Sequence, residues 1–276
     1  MITDLTEGNI SRKLWAFSIP MLISVIFQQL YNIADSVIAG KFIGEDALAA
    51  VGASYPISMM FMAVAIGSNI GCSVVVSQLF GGKMYKEMKT AITTTFITVG
   101  ALSVLLTVMG LLLSDNLIRM INTPDNIFKD AYLYISIYMG GLVFLFLYNV
   151  CTGIFNALGD SKTPLYFLVG SSLGNIFMDW LFVAVFGMGV DGVAWATFIC
   201  QGIAGVLSLI TLIIRLKTVK TEGKVQLFSS SMFKKISAIA IPSIFQQSFI
   251  SIGNIIVQGI INGYGSSIIA GYSAGS

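Results

Sequence analysis

The sequence predicts an all-α polytopic membrane protein, and three observations carry that prediction. Hydrophobic residues make up 56% of the 276-residue chain and charged residues only 10%, where a soluble domain carries about 25% charged. Apolar stretches of about 20 residues, each enough to cross a hydrocarbon core about 30 Å thick, recur along the chain. The breaks between them hold turn-forming residues, as in "GKFIGED", "GGKMYKE", "NTPDN", "GDSKTP" and "FGMGVDG".

Seven spans run in order, near 14–40, 54–80, 90–114, 131–158, 164–187, 190–214 and 236–261. The first is too long for a cleaved signal peptide and has no small-residue cleavage site. The longest polar segment, 215–235, reads as a basic linker. It divides the chain into a six-helix lobe (1–214), the linker (215–235) and the start of a second lobe (236–276). Arg12, Lys13, Lys83, Lys86, Lys89, Lys162, Arg215, Lys217, Lys220, Lys224, Lys234 and Lys235 fall on one side of these spans. Only Lys41, Arg119 and Lys129 fall on the other, so 12 of the 15 basic residues share a side. The positive-inside rule then expects a multi-pass protein of the cell membrane with a cytoplasmic N-terminus. The simplest reading of the linker is a solvated connection between two bundles, although a basic juxtamembrane stretch also attracts anionic lipid.

Several chemistries are excluded early. The chain has no histidine, and Cys72, Cys151 and Cys200 lie singly in apolar segments. That pattern offers neither a disulfide framework nor a zinc site, and the cysteines read as small core hydrophobes. No organic cofactor and no nucleic-acid partner is expected. The partners expected are the lipid bilayer and a small molecule.

Beyond the linker the chain begins again. A shift of 222 residues aligns Lys13 with Lys235, Ile19–Pro20 with Ile241–Pro242, Phe27 with Phe249, Asn32–Ile33 with Asn254–Ile255, and Ile38 with Ile260. Dropping one residue then matches Gly44 with Gly265, Ala49 with Ala270, and Ala53 with Ala274. Six spans separate the copies, so both start on the same side, as in parallel-repeat transporters. The expectation is an N-terminal part of a protein about 1.6 times as long, whose second lobe is needed to close a cavity. Opposite Asp35 the second copy holds Val257, so the helix is duplicated and the charge is not.

Among the 13 acidic residues, Asp35 and Asp179 alone stand deep in apolar spans. A carboxylate at that depth costs several kcal/mol and marks an ion or substrate path. Asp35 lies about five residues before the end of its span and Asp179 about eight before the end of its own. At about 1.5 Å per residue both stand roughly 8–12 Å below the outer surface. Thr197 of the sixth span reaches the same level. Asn175 and Asn32 stand one turn from Asp179 and three residues from Asp35, on the same helical faces. Carboxylate, amide and hydroxyl oxygens at one level suit a small hard cation such as Na⁺ or a hydrogen-bonded proton site. Gln28 and Asn32 are candidates for polar cavity lining, and equally for interhelical hydrogen bonding. Pro20 is either a kink beneath Asp35 or the first turn of the helix.

"IPMLISVIFQQLYNIADSVIAGKFIGEDALAAVG", "NALGDSKTPL", "NIFMD", "GVDGVAWATFICQ" and the restarted "IAIPSIFQQ" together resemble the multidrug and toxic compound extrusion (MATE) transporters throughout the chain. The resemblance implies twelve helices in two six-helix lobes and export of amphipathic, often cationic, compounds against inward H⁺ or Na⁺. It implies cation coupling at Asp35, Asn175, Asp179 and Thr197, and bending of the first helix at Pro20. Related flippases for lipid-linked sugars share the general fold, but their positively charged cavities have no counterpart in these spans. An intramembrane aspartyl protease would need Tyr-Asp and Gly-x-Gly-Asp motifs, whereas Asp35 follows Ala34 and Asp179 follows Met178. No enzymatic activity is expected.

Overall fold

The computed structural model of the chain describes residues 10–221 and 223–275, and the described residues form nine α-helices with short connections. These are α1 (Ile10–Ile38), α2 (Glu45–Gly81), α3 (Tyr85–Met120), α4 (Asp125–Gly140), α5 (Leu142–Ala157), α6 (Lys162–Trp180), α7 (Val190–Thr218), α8 (Ser230–Asn262) and α9 (Ser266–Gly275). Six are long and apolar enough to cross a membrane, and α4 with α5 adds a seventh if counted as one span. The number and order are those the sequence predicts. The helices overrun the apolar stretches, with α2 starting at Glu45 and α3 ending at Met120. Hydropathy marks the hydrocarbon layer, while backbone hydrogen bonding continues beyond it. The fourth span is not the single helix expected at 131–158. It bends by 50° between α4 and α5, at the pair Gly140–Gly141, where helices kink readily.

Small residues put α2 at the centre of the bundle. Ala49, Ala50, Ala53, Ser54, Ser58, Ala65, Gly67, Ser68 and Gly71 are all buried, and α2 packs on α3, α4, α5, α8 and α9. Ser54 Oγ donates to the Ala131 carbonyl of α4 at 3.3 Å. The closest approach is to α8. A Cβ on Gly67 would stand 2.6 Å from the backbone nitrogen of Ile244, and one on Gly71 2.9 Å from that of Ala240. Gly67-x-x-x-Gly71 is thus a groove that admits the α8 backbone, the small-residue packing that membrane helices use where lipid tails compete with side chains. Further along the same seam Ser251 Oγ donates to the Met59 carbonyl at 3.2 Å. At the C-terminal end of α8, Asn262 Nδ2 donates to the Ile121 carbonyl just past α3 at 2.8 Å.

The internal repeat has a backbone counterpart. Pro20 lies inside α1 and Pro242 inside α8. Gly44 (φ 130°) precedes α2, and Gly265 (φ 94°) precedes α9. Both occupy the positive-φ region that glycine tolerates and other residues avoid. The one-residue offset falls between Ile38 and Gly44, where residues 39–43 face only 261–264 in the second copy. Residues Ala39–Ile43 form a π-helical turn, the geometry that takes one more residue per turn than an α-helix.

One end of the bundle gathers the basic residues, because α1, α3, α6 and α8 start there and α2, α5 and α7 end there. The linker crosses this end in contact with α3. Lys89 Nζ donates to the Val219 carbonyl at 2.6 Å, Thr93 Oγ1 to the Gln226 carbonyl at 3.0 Å, and the Ser229 N–H to Thr94 Oγ1 at 3.1 Å. In "NALGDSKTPL", Asp160 caps α6, accepting from the Thr163 N–H at 3.1 Å and from Thr163 Oγ1 at 2.8 Å. Burial pushes the Asp160 carboxyl up while these hydrogen bonds pull it down, and its pKa lies below the usual carboxylate value.

Replacing Gly71 by Leu forces α2 and α8 apart and is expected to cost about 1–3 kcal/mol. Gly100→Leu, where an added Cβ meets nothing within 4 Å, is expected to be neutral. Thermal unfolding of the two variants in detergent checks the contrast, and equal midpoints would refute the close seam.

Candidate functional site

The α6 helix carries its polar atoms inward and its apolar ones outward. Asn175 and Asp179 are 2% and 0% exposed, while Leu173 and Phe177 between and beside them are 60% and 57% exposed. Residues four apart share a helical face, so amide and carboxylate form one buried polar stripe. The α7 helix runs antiparallel to α6 and supplies Thr197, whose Oγ1 accepts from Asn175 Nδ2 at 3.4 Å. The same Oγ1 stands 3.3 Å from the Tyr31 hydroxyl of α1.

Two contacts fix the register of α1 on this pair. Tyr31 meets the Asn175 level through Thr197, and Ile38 packs with Val183 and Val193, flanked by Ile43, Tyr134 and Ile176. Position 31 thus sits level with 175, and 38 with 183, so α1 and α6 are parallel with an offset of about 144 residues. The same offset brings position 35 level with 179. Asp35 stands one helical turn beyond Tyr31, and Asp179 one turn beyond Asn175. The side chains of Asp35 and Asn32 lie outside the described residues. Both helices then pass into π-helical turns that touch each other, Ala39–Ile43 and Leu181–Val185. Such turns are frequent at functional sites.

Beside Thr197 a small cleft of about 10 Å³, room for about one water, opens between α4 and α7. It is lined by Tyr134, Tyr138, Ala194, Phe198 and Gln201, with Gly141 of the α4/α5 bend at its edge. The Tyr138 hydroxyl is buried with no hydrogen-bond partner among the described residues. Sequence reasoning missed Tyr31, Tyr134, Tyr138 and Gln201. The available signal was spacing: Gln201 follows Thr197 by four, and Tyr134 precedes Tyr138 by four.

The remaining candidates stand apart from this cluster. Gln28 is exposed on α1 rather than buried. Pro20 is buried ten residues inside α1, which excludes the first-turn reading. The Ser24 hydroxyl donates to its carbonyl at 2.8 Å, a back-bond that often accompanies helix bending.

The family pattern described as MatE matches residues 20–181, a stretch that holds Pro20, Asp35, Asn175 and Asp179. The probable multidrug resistance protein YpnP of Bacillus subtilis (strain 168) is 31% identical over 277 residues, covering 98% of this chain and 60% of YpnP. A solved outward-facing multidrug resistance MATE family transporter of the MOP superfamily is 28% identical with a TM-score of 0.79. That match covers 88% of this chain and 54% of the transporter. An inward-facing one is alike in fold, with a TM-score of 0.79 at 24% identity over 94% and 60% of the two chains. The chain spans about 60% of the length of the curated relatives it matches.

Thr197→Val keeps the shape of the side chain and removes the hydroxyl between Tyr31 and Asn175. Interhelical hydrogen bonds of this kind are worth about 0.6 kcal/mol each, so amide exchange in α1 near residues 31–38 is expected to speed up about threefold per bond lost. Hydrogen-exchange mass spectrometry checks this, and unchanged protection would show that α1 does not depend on the Thr197 junction.

Proposed function

The chain belongs to the MATE family of multidrug efflux transporters, and from that premise we propose that it forms the first lobe of a cation-coupled antiporter. Its cargo is amphipathic, cationic small molecules, exported across the cell membrane against inward H⁺ or Na⁺. The observation that carries this reading is the common register of Asp35 and Asp179 on parallel helices, one turn beyond the Tyr31–Thr197–Asn175 junction. Two carboxylates at one level in an apolar bundle cannot both be left bare, so the site favours a proton or a small cation.

The twelve basic residues at one end support a cytoplasmic N-terminus and linker. On that orientation the aspartates stand near the outer end of the lobe. The cycle begins with the lobe open to the outside, where Asp35 and Asp179 take up the cation from a higher external activity. Asn175 and Thr197 supply further oxygens, and Gln28 and Asn32 add polar surface along α1. Neutralisation removes the electrostatic cost of closing α1 against α6, with Pro20 as the point of flexure. Cargo is displaced outward, the two lobes rock, and the cation leaves to the inside. The cation must bind the outward-facing state more tightly than the inward-facing one, since only that difference shifts the equilibrium. Equal fold likeness to inward- and outward-facing relatives supports a lobe that moves as a unit. The basic segment 215–235 joins it to a second lobe that starts at 236.

Asp35→Asn and Asp179→Asn in the full gene product are each expected to abolish cation-driven export while leaving membrane expression intact. Dye extrusion from everted vesicles, energised in turn by a proton and by a sodium gradient, measures this and identifies the ion. Wild-type extrusion by Asp35→Asn would overturn the assignment.

A further inference from the structure

A second site, separate from the aspartates, lies on the lipid-facing side of α3 and α5. There a shallow cleft of about 90 Å³ runs between the two antiparallel helices. Phe96 and Val150 line its end nearer the basic residues, and Ser103 and Val143 its deeper end. Gly100 leaves it open in the middle, since a Cβ there would meet nothing within 4 Å. Ser103 spends its hydroxyl on the Gly100 carbonyl at 2.8 Å, so the cleft presents an apolar surface. Its length along α3, seven residues, is about 10 Å, the reach of a good part of one acyl chain.

About 10 Å below this cleft along α3, where the linker crosses, the character is opposite. Lys89 stands two turns below Phe96 on the same face of α3 and is clasped to the Val219 carbonyl. Lys220 follows Val219 directly. Lys86 lies against the linker, its Nζ 3.3 Å from where a Cβ on Gly223 would stand. Within 83–89 and 215–224 the sequence holds seven basic residues (Lys83, Lys86, Lys89, Arg215, Lys217, Lys220, Lys224) and two acids (Glu87, Glu222), a net charge of 7 − 2 = +5. The linker also carries exposed apolar residues beside these charges, Leu227 at 75% and Phe228 at 46%. Basic and apolar groups alternating in one exposed segment suit the headgroup layer of a membrane, where apolar side chains dip and lysines reach phosphate.

We propose that this cleft and the basic surface below it bind one anionic phospholipid, with an acyl chain between α3 and α5 and the phosphate at Lys86 and Lys220. The lipid seats where the linker crosses α3, so it fastens the connection between the two lobes to the first lobe. The site is distinct from the cargo path and holds whether or not the transport reading does. A chain without charge at its head fills the cleft but gains nothing at the basic surface, which makes the site selective for anionic headgroups.

Native mass spectrometry of the purified full gene product, offered equal phosphatidylglycerol and phosphatidylcholine, tests this. The wild type is expected to retain phosphatidylglycerol preferentially. Lys86→Gln with Lys220→Gln, which spares the Lys89 clasp, should lower that retention about tenfold. Gly100→Phe fills the cleft and should lower it as well, at an unchanged unfolding temperature. No preference in the wild type overturns the proposal. So does undiminished retention by Gly100→Phe, which would mean headgroup adsorption with no chain in the cleft.

Discussion

Everything in this bundle is arranged around the close backbone approach that α2 permits. Inside a bilayer the hydrophobic effect does not hold helices together, because a leucine gains little by leaving lipid for another leucine. What remains is dispersion at short range and interhelical hydrogen bonding. The α2 surface is built for both. Gly67 and Gly71 admit the α8 backbone itself, and Ser54 and Ser251 bond across to carbonyls on the neighbouring helix. With α8 seated on α2 and the segment before it hydrogen-bonded to α3, α8 is joined to the rest of the bundle along much of its length. By contrast α1 packs chiefly on α6 and is exposed along most of its surface. The tightest and the loosest helices of the bundle are therefore different ones. The helix that carries Asp35 is the one with the fewest packing contacts for its length.

Polar placement obeys the same solvent. A charged or amide side chain facing lipid would lack partners, so α6 turns Asn175 and Asp179 inward and leaves Leu173, Phe177 and Trp180 outside. This inversion of the soluble-protein pattern is what delivers a carboxylate to the α1/α6/α7 junction. Thr197 matters there as a shared partner: one hydroxyl oxygen meets both Tyr31 and Asn175, and so ties two parallel helices through a third.

Much of this is legible in the sequence. Span number and order come from hydrocarbon thickness, which a run of apolar residues reports directly. The level of Asp179, Asn175 and Thr197 comes from counting residues at a fixed rise. The failures have equally physical causes. A bend at Gly140–Gly141 leaves hydropathy unchanged, so a span broken by 50° reads as one. Tyrosines hide as apolar residues because a single hydroxyl carries all their polarity, which is why Tyr31, Tyr134 and Tyr138 do not stand out. Gly67 and Gly71 lie four apart in plain view, but glycines are frequent in this chain and spacing alone does not say which partner approaches.

The two copies of the opening segment show how a duplicated helix acquires an asymmetric role. Both keep the turn glycine at positive φ and the proline within the helix. Only the first keeps an aspartate, and only the first has the additional residue between Ile38 and Gly44. An inserted residue in a helix rotates the remainder of the chain by about 100° unless it is absorbed locally. The Ala39–Ile43 π-turn stands where the additional residue falls and takes it up locally. A π-turn is a rare local departure from α-helical geometry, found frequently at functional sites. Charge and π-turn thus occur together within one segment and are absent together from its duplicate. Architecture alone would have preserved or lost them independently. Their joint presence places the π-helical end of α1 one turn beyond its carboxylate, beside the matching π-turn of the helix that carries Asp179.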